Sequence, residues 1–170
     1  MRIAITDANI FIDLFYLEAV KHLFFIRCEI ITTDQVIAEL EEEQAEKLYA
    51  FMHEGLLTVE CITTADRQRM RELRSFRGLS ESDLSVICLA ERCDAIVLSG
   101  DDLVRKTCKK NQIEIHGILW CLHQFTENGR MEKTHACEML IQLMKFNKRL
   151  PLPDCKRYIE EKWGGRMEEE

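Results

Sequence analysis

Three short apolar runs constrain the fold of this 170-residue chain more than any other feature of its sequence. They are RIAIT (2–6), CEIITT (28–33) and AIVLS (95–99). Each run is nearly continuous, without the alternation of a strand that has one solvated face, so each predicts a strand buried on both faces. Weaker runs at 56–62 and 113–117 predict two further strands. Together they predict an α/β fold with a parallel sheet of about five strands and helices on both of its faces.

The segments between the apolar runs have the composition and caps of helices. They predict helices over about 8–16, 17–26, 34–52, 64–77, 80–93, 101–111, 118–125, 132–146 and 154–163. Asp34 is the predicted N-cap of the third helix, Thr64 or Asp66 of the fourth, and Ser80 of the fifth. Pro151 and Pro153 interrupt the chain before the last helix.

Composition indicates a globular protein without a membrane span. Apolar residues make up 46% of the chain, which is enough for a sizeable core, and no apolar run approaches the ~20 residues of a membrane span. With no signal peptide recognisable, we expect a cytoplasmic protein without membrane contact. The net charge is −7, but bases cluster at 66–77 and 104–110, so the overall charge does not exclude an RNA partner.

The eight cysteines form no CxxC pair. Most of them lie within apolar patterns, as in VICLAERC and ILWCLHQF. We therefore predict reduced, buried thiols that act as small hydrophobic residues, and no zinc site.

Acidic residues follow two of the predicted strands. Asp7 ends the first strand, and Asp101 and Asp102 follow AIVLSG. Because the carboxyl ends of parallel strands meet at one edge of a sheet, we expect these carboxylates to be neighbours where ligands bind.

Two further acids lie on predicted helices near that edge. Glu39 follows the second strand, and Asp83 lies in the first turn of the helix that begins at Ser80. Clustered carboxylates raise one another's pKa, and a divalent cation removes that conflict. Oxygen ligands alone favour Mg²⁺ or Mn²⁺, which in turn indicate phosphodiester chemistry.

Each acid also has a purely structural interpretation. Asp7 could cap a helix, and so could Asp101 or Asp102. Asp83 could complement a helix dipole, and Glu39 could belong to a solvated acidic face. The order of the four acids on these elements favours a joint site over four separate structural roles.

With these residues, the chain resembles the PIN-domain ribonucleases, in particular their VapC-like toxins. The matching motifs are TDANIFIDL with Asp7 and Asn9, QVIAEL with Glu39, LSESDLSVICLA with Asp83, and VLSGDDLVRK with Ser99 and Asp101. The resemblance covers roughly residues 1–120. It implies a PIN-like sheet in a nuclease domain over 1–150, followed by a C-terminal helical appendage over 151–170 with a frayed acidic end.

The same resemblance implies an activity, a cofactor and partners. The activity is endonucleolytic cleavage of single-stranded RNA with Mg²⁺ or Mn²⁺, in some relatives as the toxin of a toxin–antitoxin pair. An antitoxin protein and a second copy of the chain are the implied protein partners, with the apolar segment from Tyr16 to Ile26 as the candidate interface.

Roles for individual residues follow from the motif matches. Metal binding, directly or through water, is implied for Asp7, Asp83 and Asp101. Glu39 would complete the ligand set or orient the attacking water. Asn9 and Ser99 would hold the acids in place through hydrogen bonds.

The chain departs from the family pattern at two points. Relatives of this subtype often have Glu where this chain has Asp83, and Glu81 is a nearby alternative. Asp102 could replace Asp101 or share its role.

Basic residues could bind the RNA phosphates. Arg67, Arg71 and Arg74 have helical spacing and share a face, which Arg77, Arg105, Lys106, Lys109 and Lys110 could extend. The alternative is an ordinary solvated helix face with internal ion pairs. For Trp120 and Phe125 we expect core packing instead of base stacking.

Other functions fit the sequence less well. The main alternative is a catalytically dormant PIN-like module that acts by binding a protein partner, and the retention of all four acids favours a nuclease. A phosphotransfer receiver would need a lysine at a late strand end, and IEIHG has none.

Overall fold

The computed structural model describes residues 1–74 and 78–165. Its sheet has five strands: β1 (Arg2–Thr6), β2 (Cys28–Thr33), β3 (Leu57–Glu60), β4 (Ile96–Leu98) and β5 (Ile115–His116). The strands are all parallel and are arranged in the order β3-β2-β1-β4-β5. The predicted α/β fold and the number of strands are confirmed.

Strand β1 lies at the centre of the sheet. It pairs with β2 through Ile5 and Ile31, and with β4 through Ile5 and Val97. Its last three residues are all buried, as is the whole of β4, so helices cover both faces here. The chain order reverses between β1 and β4, which makes their carboxyl ends the expected position of a ligand site.

Within the described residues, ten α-helices connect and flank the strands. They are α1 (Ala8–Tyr16), α2 (Val20–Leu23), α3 (Asp34–Glu39), α4 (Glu42–His53), α5 (Thr64–Leu73), α6 (Glu81–Cys93), α7 (Asp102–Lys110), α8 (Ile118–Glu127), α9 (Lys133–Phe146) and α10 (Leu152–Tyr158). A π-helical turn, Ile159–Trp163, follows α10 directly. None of the helices in the described ranges combines the length and apolar character needed to cross a membrane.

Two predicted helices are shorter in the structure. The helix expected over 17–26 is the single turn of α2. The helix expected over 34–52 is broken at Leu40, which is extended (φ −82°, ψ 155°). Glu41 begins a new helix there through a capping box with Gln44, while Leu40 packs against the core.

The predicted N-cap is correct for α6 and wrong for α3 and α5. Ser80 caps α6, as expected. Thr33 caps α3 in place of Asp34, and Thr63 caps α5 with Asp66 as its capping-box partner. Helix α5 ends at Leu73, and the continuation predicted over 75–77 lies outside the described residues.

The C-terminal helices belong to the same core as the sheet. Cys155 and Ile159 are completely buried and Trp163 is 8% exposed, all within one hydrophobic cluster. The division of the chain at residue 150 remains a prediction, and the predicted frayed end at 166–170 lies outside the described residues.

Core packing agrees with the sequence for most cysteines and for both aromatic residues considered. Five of the eight cysteines are buried as free thiols. Phe125 is 1% exposed. Trp120 is only partly buried but packs against this core, and its ring also stacks on that of His116 with 4.4 Å between centroids.

Candidate active site

Asp7 is a buried carboxylate at the carboxyl end of the central strand. It is 2% exposed, and its backbone N–H extends the sheet by donating to the carbonyl of Leu98 at 3.0 Å. Its Oδ1 caps α1 by accepting a hydrogen bond from the N–H of Ala8 at 2.7 Å. Asp7 is therefore the N-cap of α1, which was one of the two roles that the sequence allowed. Only one of its two carboxylate oxygens, Oδ1, serves as the cap.

The second oxygen of Asp7 is held by Asn9 and Ser99. Oδ2 accepts hydrogen bonds of 2.7 Å from Asn9 Nδ2 and of 2.7 Å from Ser99 Oγ. Asn9 also donates to Ser99 Oγ at 3.2 Å and accepts from the N–H of Gly100 at 2.8 Å. This network fixes both oxygens of Asp7 and joins the end of β1 to the turn after β4.

Asp101 is connected to Asp7 by hydrogen bonds through the same hydroxyl group, that of Ser99. Its backbone N–H donates to Ser99 Oγ at 3.2 Å. As the N-cap of α7, its Oδ1 accepts from the N–H groups of Leu103 and Val104 at 2.8 and 2.9 Å. No described residue donates a hydrogen bond to its Oδ2, which is therefore available to a ligand.

Asp83 enters the site from the first turn of α6. Its Oδ2 accepts a hydrogen bond from the N–H of Ser80 at 2.8 Å, in a capping box. Burial raises its pKa, and the negative charge of Asp101 raises it further. The alternative acid, Glu81, forms an ion pair with Arg74 at the surface, and the role of Asp83 as the carboxylate of the site stays a prediction.

Glu39 is the last residue of α3 and is exposed to solvent. No hydrogen bond or ion pair to its carboxylate is formed within the described ranges. Its negative charge nevertheless reaches the buried site, because it contributes to the raised pKa of Asp7.

Electrostatics connect these four acids. Burial raises the pKa of Asp7 to about 6, the hydrogen bond from Ser99 opposes this shift, and the charges of Asp83 and Glu39 add to it. Asp101 acts in the same way on Asp83. The four predicted acids therefore lie at one edge of the sheet and repel one another there.

The donor set was tested against the predicted metal. Within residues 1–74 and 78–165, no three His, Cys, Asp or Glu side chains are placed so that they could hold one ion together. Mg²⁺ usually keeps several waters and binds one or two carboxylates, so it does not need such a set. Oxygen donors that crowd a buried carboxylate fit a hard divalent cation, and direct coordination by all four acids stays a prediction.

Comparison with known proteins identifies the family. A family model described as "DUF3368: PIN domain" matches residues 3–161, almost the whole chain. The chain belongs to the PIN-domain family. Proteins with a PIN domain are generally nucleases, and the resemblance found in the sequence is confirmed.

A solved structure similar to this PIN domain is described as a toxin–antitoxin complex from Klebsiella pneumoniae. It is 20% identical, the aligned region covers 58% of this chain and 86% of that chain, and the TM-score is 0.45. No match was found among curated proteins.

Four buried polar atoms of this PIN domain were missed by the sequence analysis. They have no hydrogen-bond partner in the part of the chain that the structure describes, and they are Thr6 Oγ1, Asp34 Oδ1, Ser82 Oγ and Asn128 Nδ2. Asp34 directly follows β2, so it lies at the same edge as Asp7. Asp7 was identified because it is an acid that directly follows an apolar run. Asp34 follows the apolar run CEIITT in the same way, so the same signal would have identified it as well.

The predicted RNA-binding residues differ in their exposure, in their ion pairs and in their distance from the acids. On α5, Arg67 and Arg71 are exposed and form no ion pair within the described ranges, while Arg74 pairs with Glu81. Arg105 donates to the carbonyl of Ser99 at 3.3 Å, which places it beside the acids. The exposed residues Asp102 and Lys106 form part of α7, and Arg77 lies outside the described residues.

Proposed function

We propose that this chain is a metal-dependent endoribonuclease that hydrolyses phosphodiester bonds of single-stranded RNA. The observation that carries the proposal is the crowding of carboxylates around the buried Asp7, at the point where the strand order reverses. This arrangement does not stabilise the fold, because burying a carboxylate beside other carboxylates lowers the free energy of unfolding.

The proposed cofactor is Mg²⁺ or Mn²⁺, held directly or through water by Asp7, Asp83 and Asp101, with Glu39 nearby. When bound, such an ion stabilises negative charge on a phosphate and lowers the pKa of water. Asp101 Oδ2, which accepts no hydrogen bond from a described residue, supports its role as a ligand. Asn9 and Ser99 keep Asp7 in one orientation, which reduces the cost of organising the site.

Glu39 has the proposed role of orienting the attacking water and accepting its proton. Its exposed carboxylate, without a partner among the described residues, supports this role. The water oxygen forms a bond to phosphorus while the bond from phosphorus to the leaving ribose oxygen breaks, and that oxygen takes up a proton from solvent. Arg105, beside Ser99, is placed to bind a neighbouring phosphate.

The biological setting forms part of the proposal. The chain acts in the cytoplasm as the toxin of a toxin–antitoxin pair, is inhibited by an antitoxin protein, and forms a homodimer. Tyr16 and Phe25 are exposed aromatic residues that support an apolar interface in this region.

The decisive experiment compares wild type with Asp7→Asn on end-labelled single-stranded RNA, with Mg²⁺, with Mn²⁺ and with EDTA. We expect wild type to cleave only with metal and Asp7→Asn to lose at least about 100-fold in rate. Asp94→Asn is the matched control, since Asp94 ends α6 at the opposite edge of the sheet in a left-handed conformation that Asn also tolerates.

The outcomes separate the proposal from its alternative. Equal cleavage by wild type and Asp7→Asn would identify a contaminating nuclease and overturn the mechanism. Absence of cleavage by a folded wild type that still binds a partner protein would instead support the dormant binding module.

A further inference from the structure

A large cavity lies next to the acidic edge, between the end of the sheet and the C-terminal helices. Its volume is about 680 Å³, which falls within the range of about 300–1,000 Å³ for small-molecule sites. Asn9, Gly100 and Asp101 line it, so the cavity reaches one of the proposed catalytic acids, Asp101. Residues 149–151 and Tyr158, from the C-terminal part of the chain, also line it.

Aromatic rings form much of the lining. The rings of His116 and Trp120 are stacked, with 4.4 Å between centroids and 12° between planes. His123 and Tyr158 meet edge to face at 5.6 Å. All four residues line the cavity. A planar base can extend the stack formed by His116 and Trp120, and stacking of this kind accepts any base because every base has a π-face.

Basic groups complement these rings. Arg105 lines the cavity and donates to the carbonyl of Ser99, next to Asp101. Arg149 also lines the cavity and is exposed. Among the other acids of the lining, Asp154 pairs with Arg157 at 2.6 Å and Asp13 accepts from Asn147, while Asp102 is exposed to solvent. The cavity therefore combines aromatic surfaces with two cationic side chains, Arg105 and Arg149, which suit the base and the phosphate of a nucleotide.

We propose that this cavity binds the base and ribose of a nucleotide adjacent to the cleaved phosphodiester bond, with the base stacked on Trp120. The substrate class rests on the proposed ribonuclease function, whereas the binding of a nucleotide does not. The C-terminal helices thereby contribute a wall of the substrate site, in addition to their part in the core.

The test uses the tryptophan fluorescence of the full chain without metal. The chain has two tryptophans, and Trp163 is 8% exposed in the core, so Trp163→Phe leaves Trp120 as the single reporter. Cytidine 5′-monophosphate and ribose 5-phosphate are titrated separately in EDTA. We expect saturable quenching by the nucleotide and none by the sugar phosphate, because only the former has a base. Equal responses to both compounds, or no response to either, would overturn the proposal.

A second measurement does not depend on fluorescence or on the folding of Trp163→Phe. Equilibrium dialysis of radiolabelled cytidine monophosphate compares wild type with Trp120→Leu and Trp120→Phe. We expect about a tenfold or larger loss of affinity for Leu, and affinity within a few-fold of wild type for Phe, which retains an aromatic face. Equal affinities of Leu, Phe and wild type would contradict stacking.

The two proposals fail in different ways. Nucleotide binding without metal-dependent RNA cleavage would leave the subsite standing and remove the ribonuclease function. Cleavage that depends on Asp7, without any nucleotide effect on Trp120, would support the nuclease and remove the subsite.

Discussion

The hydroxyl group of Ser99 donates a hydrogen bond of 2.7 Å to Oδ2 of Asp7, which lies 92 positions earlier in the chain. The same oxygen of Ser99 accepts the backbone N–H of Asp101. Ser99 is completely buried, so this hydroxyl fixes the relative positions of two acids from two strands. The following predictions concern this arrangement and its surroundings.

Ser99→Ala should reduce both cleavage and stability. It removes one of the two side-chain hydrogen bonds to a buried carboxylate oxygen, which costs about 1–3 kcal/mol of unfolding free energy. Loss of an orienting partner typically reduces activity by about 10–100-fold. Urea unfolding and kcat/KM measure the two effects. Thr134→Ala, on the exposed face of α9, should change neither, and a Ser99→Ala variant with normal kcat/KM would show that Ser99 does not position Asp7.

Asp83→Asn and Glu81→Gln should separate the two acids that the sequence could not distinguish. Asp83 faces the charge of Asp101, whereas Glu81 is paired with Arg74 at the surface. We expect a loss of about 100-fold or more in cleavage for Asp83→Asn. Glu81→Gln should lower the free energy of unfolding by less than about 1 kcal/mol and should leave the rate of cleavage nearly unchanged. The reverse pattern in kcat/KM would assign the catalytic role to Glu81.

Mn²⁺ should stabilise the wild-type protein against heat. A ligand at 100 times its Kd adds about 2.7 kcal/mol to the unfolding free energy of the native state. Asp7→Asn and Asp101→Asn should show much smaller shifts of Tm with Mn²⁺, while Asp94→Asn should respond like wild type. Equal shifts in all four proteins would place the bound ion elsewhere.

Asp13→Asn should flatten the dependence of stability on pH. Burial raises the pKa of Asp13 from 3.8 to about 6, against the effect of the Asn147 hydrogen bond. The native state therefore binds a proton more tightly than the unfolded state, so ionisation lowers stability as pH rises from about 4 to about 6, by about 3 kcal/mol in total.

Urea unfolding of wild type and Asp13→Asn at pH 4, 5, 6 and 7.5 measures this effect. The stability of the variant relative to wild type should increase across the interval and stay constant above it. A difference that does not change with pH would show that Asp13 titrates normally.

Arg67→Gln together with Arg71→Gln should weaken RNA binding if α5 contacts the phosphates. Each lost phosphate contact lowers the slope of log K against log salt by about 0.7 for single strands. For the double variant, the magnitude of the slope of log K against log salt should therefore be smaller by about 1.4 than for wild type. Filter binding at several salt concentrations measures this slope. Lys47→Gln, on α4 with Glu43, is the control. An unchanged slope would identify α5 as an ordinary solvated face.

Local sequence predicted most of the fold. The bounds of β1, β2 and α1 agree with the apolar runs, because strand burial and helix capping depend on neighbouring residues. The break at Leu40 was not predicted, since a helix pattern continues through it. The capping box of Glu41 and the packing of Leu40 against the core decide the break instead.

The convergence of the candidate acids at one edge of the sheet was predicted from the same signals. Asp7 and Asp101 follow strands, and parallel strands necessarily bring their carboxyl ends to one edge. Asp34 was missed because a cap was a sufficient local explanation for it. The aromatic cavity was also missed, since in sequence Trp120 has the pattern of a core residue.

By itself, the sequence determined the secondary structure, the parallel sheet and the set of acids at its edge, because these follow from periodicity and from the ends of strands. Only the tertiary structure decided which acid is held by Ser99, which is neutralised by Arg74 and which rings face the cavity. These contacts join residues far apart in the chain, and their free energies depend on distances and burial that no local pattern contains.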